Sequence, residues 1–168
     1  EGLTMKGKTM TTKPTKQKKF ELTENTKLLC GTTLFRIRAL ISFADVREGD
    51  LGGWVEKEEN LSQEDNAWVA DDACVFENGR VFENGRVSGN SQVDGSSRVS
   101  GYSRVTGHCG VIGNSRVSGN SHLTEYTPVY DHSLLQENNL VARTNQSSDN
   151  NEVNENNEIT TTKTQQSS

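Results

Sequence analysis

Five arginines recur at fixed distances in the middle of this chain. Arg80, Arg98 and Arg116 are each eighteen residues apart, as are Arg86 and Arg104, and His122 completes the second series. A guanidinium is a permanently charged planar fork that grips carboxylate or phosphate oxygens in pairs. If the fold lays residues eighteen apart over one another, each series becomes a column of cations and a rigid strip for anions. The plainer use of the same side chain is to cover a flat sheet with its apolar stem. The three histidines, His108, His122 and His132, are the only candidates for a neutral-pH base. A base needs a partner to orient it and a pocket to work in, and the sequence indicates neither. Cys30, Cys74 and Cys109 are odd in number and lack metal-ligand spacing, so they read as reduced thiols. No nucleophile motif or phosphate-cradling loop is present, and no cofactor is expected.

The elements that would carry these residues are legible. From Ala67 to Ser133 the chain repeats a six-residue phrase, as in Ser97-Arg98-Val99-Ser100-Gly101-Tyr102. An aliphatic residue stands at 69, 75, 81, 87, 93, 99, 105, 111, 117, 123, 129 and 135 without insertion or deletion. Two positions before each stands a small residue, such as Ala73, Gly79, Ser91 or Cys109. In an extended chain these two point to one side, and the polar residues around them point to the other. Gly95, Gly101, Gly107, Gly113 and Gly119 follow two positions later, each able to turn a corner at positive φ. Glycine every six residues and β-branched Val exclude a helix. Strands this short do not make ordinary hairpins. Fixed-period self-similarity of this kind marks a solenoid.

The pattern resembles the hexapeptide-repeat, left-handed parallel β-helix proteins, in which three hexads make one triangular coil. The resemblance covers about 70 of the 168 residues. It implies Val in the prism interior, small residues beside the corners and residues eighteen apart stacked. Twelve hexads then give about four coils and, at about 4.8 Å per coil, a prism about 20 Å long. The outward positions Arg80, Arg98 and Arg116 fall on one face and Arg86, Arg104 and His122 on another. Cys74, Gln92, Gly110 and Pro128, beside Phe76, Asp94, Ile112 and Tyr130, fall on the remaining, less charged face, suited to a homotrimer contact.

Outside the repeat the composition changes. Residues 1–18 form a lysine-rich arm read as disordered, and residues 136–168 an Asn/Gln/Ser/Thr-rich tail read the same way. Val141, Val153 and Ile159 keep the hexad phase there, but the small and glycine positions are lost. The chain opens on Glu1, with Met5 and Met10 available as initiators. The net charge of −5 hides a basic arm on an acidic body, so nucleic-acid binding by bulk charge is not expected. No run is long and apolar enough to span a membrane and no signal peptide is visible, and with the unpaired cysteines a reducing, cytoplasmic location is expected.

Residues 19–66 read as a β cap over the open end of the prism. Phe20–Leu22 and Leu34–Leu40 read as strands joined through turns at Asn25 and Cys30-Gly31, with Phe35, Ile37 and Ala39 inward. Trp54 and Trp68 are candidates to lie across the end. Glu56, Glu58, Glu59, Glu64, Asp65, Asp71 and Asp72 form an acidic collar, read as a solvated rim that discourages edge pairing. The run from Lys19-Phe20-Glu21-Leu22 through Leu34-Phe35-Arg36-Ile37 and Gly49-Asp50-Leu51-Gly52-Gly53-Trp54 to Glu58-Glu59-Asn60-Leu61-Ser62 resembles small bacteriophage and prophage proteins that set such a cap before coil repeats.

Many hexapeptide-repeat proteins are acyltransferases, and that resemblance implies a trimer with a catalytic His near a neighbouring subunit. This chain has no extruded loop, and its His residues sit at corners (His108, His132) or on an outward strand position (His122). The expected function is therefore a non-enzymatic structural or interaction protein of phage type whose flat faces meet a protein partner. The alternative in a different class is a binder of an anionic small molecule, such as a nucleotide, through Arg80, Arg98, Arg116, Arg86, Arg104 and His122.

Overall fold

The computed structural model describes residues 17–124, 128–129 and 133–136, and the backbone of three further strands at 140–142, 152–154 and 158–160. The lysine-rich arm up to residue 16, Tyr130, His132 and the rest of the tail lie outside the described residues. The molecule is all-β, a β-solenoid of about four turns built from three stacks of parallel strands.

Each hexad contributes a strand of two or three residues, such as Arg98–Val99, and pairs with the hexad eighteen residues on. The first face runs through Cys74–Val75, Gln92–Val93, Gly110–Val111 and Pro128–Val129. The second runs through Arg80–Val81, Arg98–Val99, Arg116–Val117 and Leu134–Gln136. The third runs through Trp68–Val69, Arg86–Val87, Arg104–Val105 and His122–Thr124. The aliphatic residue of every hexad points inward; Val75, Val87, Val93, Val99, Val105, Val111 and Val117 are wholly buried. Removing a Val side chain from water stabilises by about 1.5–3 kcal/mol, so the stacked valines are the main cohesive force of the coils. The small residue two positions earlier is buried with them, at Ala67, Ala73, Ser91, Ser97, Ser103, Cys109, Ser115 and Ser121.

Parallel pairing starts earlier than the hexad pattern does. Strand β3 (Leu51–Val55) pairs in parallel with Cys74–Val75, and Leu61 bridges Val81. Val55, Leu61 and Val69 thus form a first coil hidden from the period, because eight residues rather than six separate Leu61 from Val69. Asn60 ties this coil to the next: wholly buried, it donates through Nδ2 to the Glu77 and Gly79 carbonyls and accepts from the Lys57 amide.

The cap is a hairpin, β1 (Phe20–Leu29) and β2 (Thr32–Ala39), continued antiparallel by β3. Cys30 and Gly31 both take positive φ, the geometry of a two-residue hairpin turn. The expected turn at Asn25 is absent. The strand runs through it with a register shift between Leu22 and Thr26, where the Thr23 hydroxyl donates to the Arg36 carbonyl and accepts the Asn25 amide. Ile37 and Ala39 are buried as expected, but Leu34 rather than Phe35 is the buried residue before them.

Of the two tryptophans, Trp68 joins the apolar cluster at the prism end and Trp54 does not. Trp54 occupies an outward position in register with Cys74, packed against Leu34, Cys74 and Phe76. The Lys27 ammonium and the Arg36 guanidinium lie over its ring at 4.8 and 5.3 Å from the centroid. Trp68 sits in register with Arg86 and meets Phe43 edge-on. The apolar cluster that closes the interior is Phe20, Ile37, Ala39 and Val46 over Val55, Leu61 and Val69. Gly52 and Gly53 permit this approach: a Cβ at residue 53 would lie 2.5 Å from the Ala73 carbonyl oxygen, and one at residue 52 would lie 2.6 Å from the Val69 oxygen.

Leu140–Ala142, Glu152–Asn154 and Glu158–Thr160 continue the parallel stacking on the third and second faces. Val141, Val153 and Ile159, which keep the hexad phase, lie in these strands.

Candidate functional site

The eighteen-residue register stacks Arg80 on Arg98 on Arg116, with Leu134 as the next rung of the second face. On the third face Trp68, Arg86, Arg104 and His122 form one column, continued by Leu140. Adjacent rungs of parallel strands are about 4.8 Å apart, where two exposed guanidinium charges repel by about 1 kcal/mol in water. Arg80, Arg98, Arg104 and Arg116 are exposed, while Arg86 and His122 are half-buried.

The two columns look alike in the sequence and differ in the fold. Arg86 donates to the Asp45 carboxylate at 2.5 Å, and this hydrogen bond holds the Asp45 carboxyl below its usual range. Asp45 comes from the cap loop between β2 and β3, so the cap has already neutralised the first cation of the third face. Above it the column is closed by the buried Trp68 ring. Arg104 lines a groove with Asp45, Arg86 and the exposed Tyr102.

The second face keeps its cations. Arg98 lines three adjoining shallow grooves that follow the column. Toward the cap, the grooves around Arg80 and Arg98 also contain Glu58 and Glu59. Away from the cap, the groove of about 430 Å³ between Arg98 and Arg116 is lined by Ser96, Asn114, Ser133 and Leu134, with no carboxylate among the described residues. On the first face the outward column is Trp54, Cys74, Gln92 and Gly110. Burial raises the Cys74 thiol pKa, and its Sγ donates to the Asp72 carbonyl. His108 is at an exposed corner. Among the described residues no group of three or more His, Cys, Asp or Glu could hold a metal ion, and no helix is long and apolar enough to cross a membrane.

Two sets of charged residues have roles the sequence reading missed. Glu56 and Asp71 of the acidic collar, and Glu77 and Glu83 beyond it, are worked into the backbone. The Asp71, Glu77 and Glu83 carboxylates accept the amides of Gly89, Gly95 and Gly101 at 3.0, 2.8 and 2.7 Å, each eighteen residues on. Glu56 accepts the Glu77 amide at 2.6 Å. The recurrence of an acid eighteen residues before Gly89, Gly95 and Gly101 was the available signal.

Lys19, at the end of the basic arm, is only 2% exposed. Its ammonium donates to the carbonyls of Glu64, Asp65 and Ala67, in the two-residue expansion of the first coil. Burial, reinforced by the positive charge of Arg86, lowers its pKa to about 8. Gln63 completes the lock by accepting the Lys19 and Phe20 amides and donating to the Phe20 carbonyl. Nothing local in a lysine-rich arm distinguishes this lysine.

No protein-family model matches the chain, and no curated protein matches it.

Proposed function

We propose that this protein is a non-enzymatic interaction scaffold, a left-handed hexapeptide-repeat β-helix of phage or prophage type that offers rigid flat faces to a protein partner in a bacterial host. The observation that carries the reading is the uninterrupted eighteen-residue register on all three faces. It fixes rows of outward side chains on a frame whose inward positions are filled by buried valines. Such a frame loses little conformational entropy when a partner docks, which favours recognition by surface pattern. Handedness is supported by the six-residue sides, the small residue two positions before each Val and the positive-φ corners, all shared with the hexapeptide-repeat proteins. The phage assignment rests on the cap residues named above, and the sparsely charged first face is the proposed trimer contact.

The test is capture with face-specific variants of the full chain from host cells carrying the phage or prophage. A partner released by Arg98→Glu, but retained by Gln92→Glu and Arg104→Glu, supports docking on one face. Retention of every captured protein by all three variants removes the scaffold reading. An acyl-transfer activity lost in His122→Ala would replace it with the enzymatic one.

A further inference from the structure

We propose that the second face carries a small-molecule site for a phosphate monoester, seated between Arg98 and Arg116. This goes beyond the scaffold reading, since it assigns a ligand to one groove and needs no macromolecular partner. Three observations converge on that groove. Its two arginines are consecutive rungs, about 4.8 Å apart, and neither has a carboxylate partner among the described residues. Every other arginine pair in the columns is compromised. Arg86 is neutralised by Asp45, and the grooves that Arg80 and Arg98 share also hold Glu58 or Glu59, whereas the groove between Arg98 and Arg116 holds no carboxylate among the described residues. The rest of the lining, Ser96, Asn114, Ser133 and Leu134, combines neutral polar groups with one apolar edge.

The charge of the ligand follows from the rungs. Two stacked guanidinium groups present two positive charges and two donor forks, and a carboxylate or phosphodiester carries only one negative charge. A phosphate monoester carries close to two at neutral pH and has three terminal oxygens, enough to accept from both forks at once. Binding it also removes the repulsion between the rungs, which a monoanion would leave in part. Leu134 gives the organic part of an ester a surface that inorganic phosphate would not use.

The experiment titrates the full chain with inorganic phosphate, a sugar monophosphate and dimethyl phosphate, following backbone amide signals by NMR. The two phosphates carrying nearly double charge should shift the signals of Ser96 and Asn114, with dimethyl phosphate binding at least about fivefold more weakly. Arg98→Gln and Arg116→Gln should each weaken binding by about tenfold or more, and Arg98→Lys, which keeps the charge without the fork, by less. Arg104→Gln, on the third face, should leave it unchanged. Tighter binding of the sugar monophosphate identifies an ester as the ligand; equal binding identifies inorganic phosphate, and both support the site. The proposal is overturned by absent shifts at millimolar ligand, by equal binding of dimethyl phosphate, or by an equal loss in Arg104→Gln. A thymidine oligonucleotide that binds far more tightly and responds equally to all three glutamine variants would also overturn it, in favour of general polyanion attraction.

Discussion

At the corners of the early coils an acidic residue adopts positive φ, at Asp71, Glu77 and Glu83, whereas from Gly89 to Gly119 glycine does so. The two hexads differ by moving one glycine two places. Val75-Phe76-Glu77-Asn78-Gly79 has its acid at the corner and glycine at the inner position; Val87-Ser88-Gly89-Asn90-Ser91 has glycine at the corner and serine inside. A non-glycine residue at positive φ costs about 1–2 kcal/mol, and the carboxylate offsets this by accepting the amide of the coil below. After Glu77 and Glu83 the inner glycine is then required, whereas the acid corner at Asp71 is followed by Ala73. A Cβ at residue 79 would lie 2.6 Å from the Val93 carbonyl oxygen, and one at residue 85 would lie 2.8 Å from that of Val99. In the later coils the corners themselves are crowded, since a Cβ at residue 95 would lie 2.6 Å from the Gly113 carbonyl oxygen. The same turn is therefore reached with the close approach placed either inside the prism or at its edge.

The largest expected effect ignores that distinction and tests the frame both kinds of hexad share. Val99→Asp puts a charge into the dry interior and should cost several kcal/mol, unfolding the coils; Ser100→Asp, half-buried and pointing outward, should be nearly silent. Equal melting temperatures for the two variants would contradict the inward register.

Next come the corners. Gly95→Ala should destabilise by about 2 kcal/mol or more, because backbone must move to admit the methyl and the residue keeps positive φ. Glu77→Ala should cost about 1–2 kcal/mol through loss of the Gly95 amide contact, and Glu77→Gly distinctly less, since glycine relieves the strained φ. Denaturant melts of the three variants check this order. Identical midpoints for Glu77→Ala and Glu77→Gly would show that the acid corner carries no backbone strain.

A smaller effect separates the inner serines. The Ser115 hydroxyl donates to the Ile112 carbonyl at 2.8 Å, whereas the buried Ser103 hydroxyl has no hydrogen-bond partner among the described residues. Ser115→Ala should therefore cost about 1 kcal/mol, and Ser103→Ala should be neutral or stabilising. Thermal unfolding of both variants reads the difference, and equal destabilisation would mean Ser103 is satisfied in solution.

The smallest effect lies where the two kinds of coil meet. Burial, with Glu77 adding negative charge, raises the Asp94 pKa to about 6. The folded state then holds a proton that the unfolded chain releases near pH 4, so this group's stabilisation is complete below about 4 and is lost as pH rises through 6. Melting temperatures of wild type and Asp94→Asn should differ in slope over that window and run parallel above it. Parallel curves throughout would place Asp94 in water.

The sequence determined the solenoid by itself. A buried aliphatic every six residues, a small residue two before it and a corner glycine are local requirements of short strands, so the repeat states them directly. The Arg80–Arg98–Arg116 and Arg86–Arg104–His122 columns follow from the same count once three hexads make a coil. Only the tertiary structure decided what distinguishes the columns. Asp45, Lys19, Gln63 and Glu58 lie outside the period, and their partners Arg86, Ala67 and Lys18 are some forty residues or more away. No pattern of spacing encodes such contacts; they exist because the cap folds back on the first coil. The hidden coil at Val55, Leu61 and Val69 escaped for a related reason. Its two extra residues break the period in the sequence, while the stacking of buried side chains restores it in space.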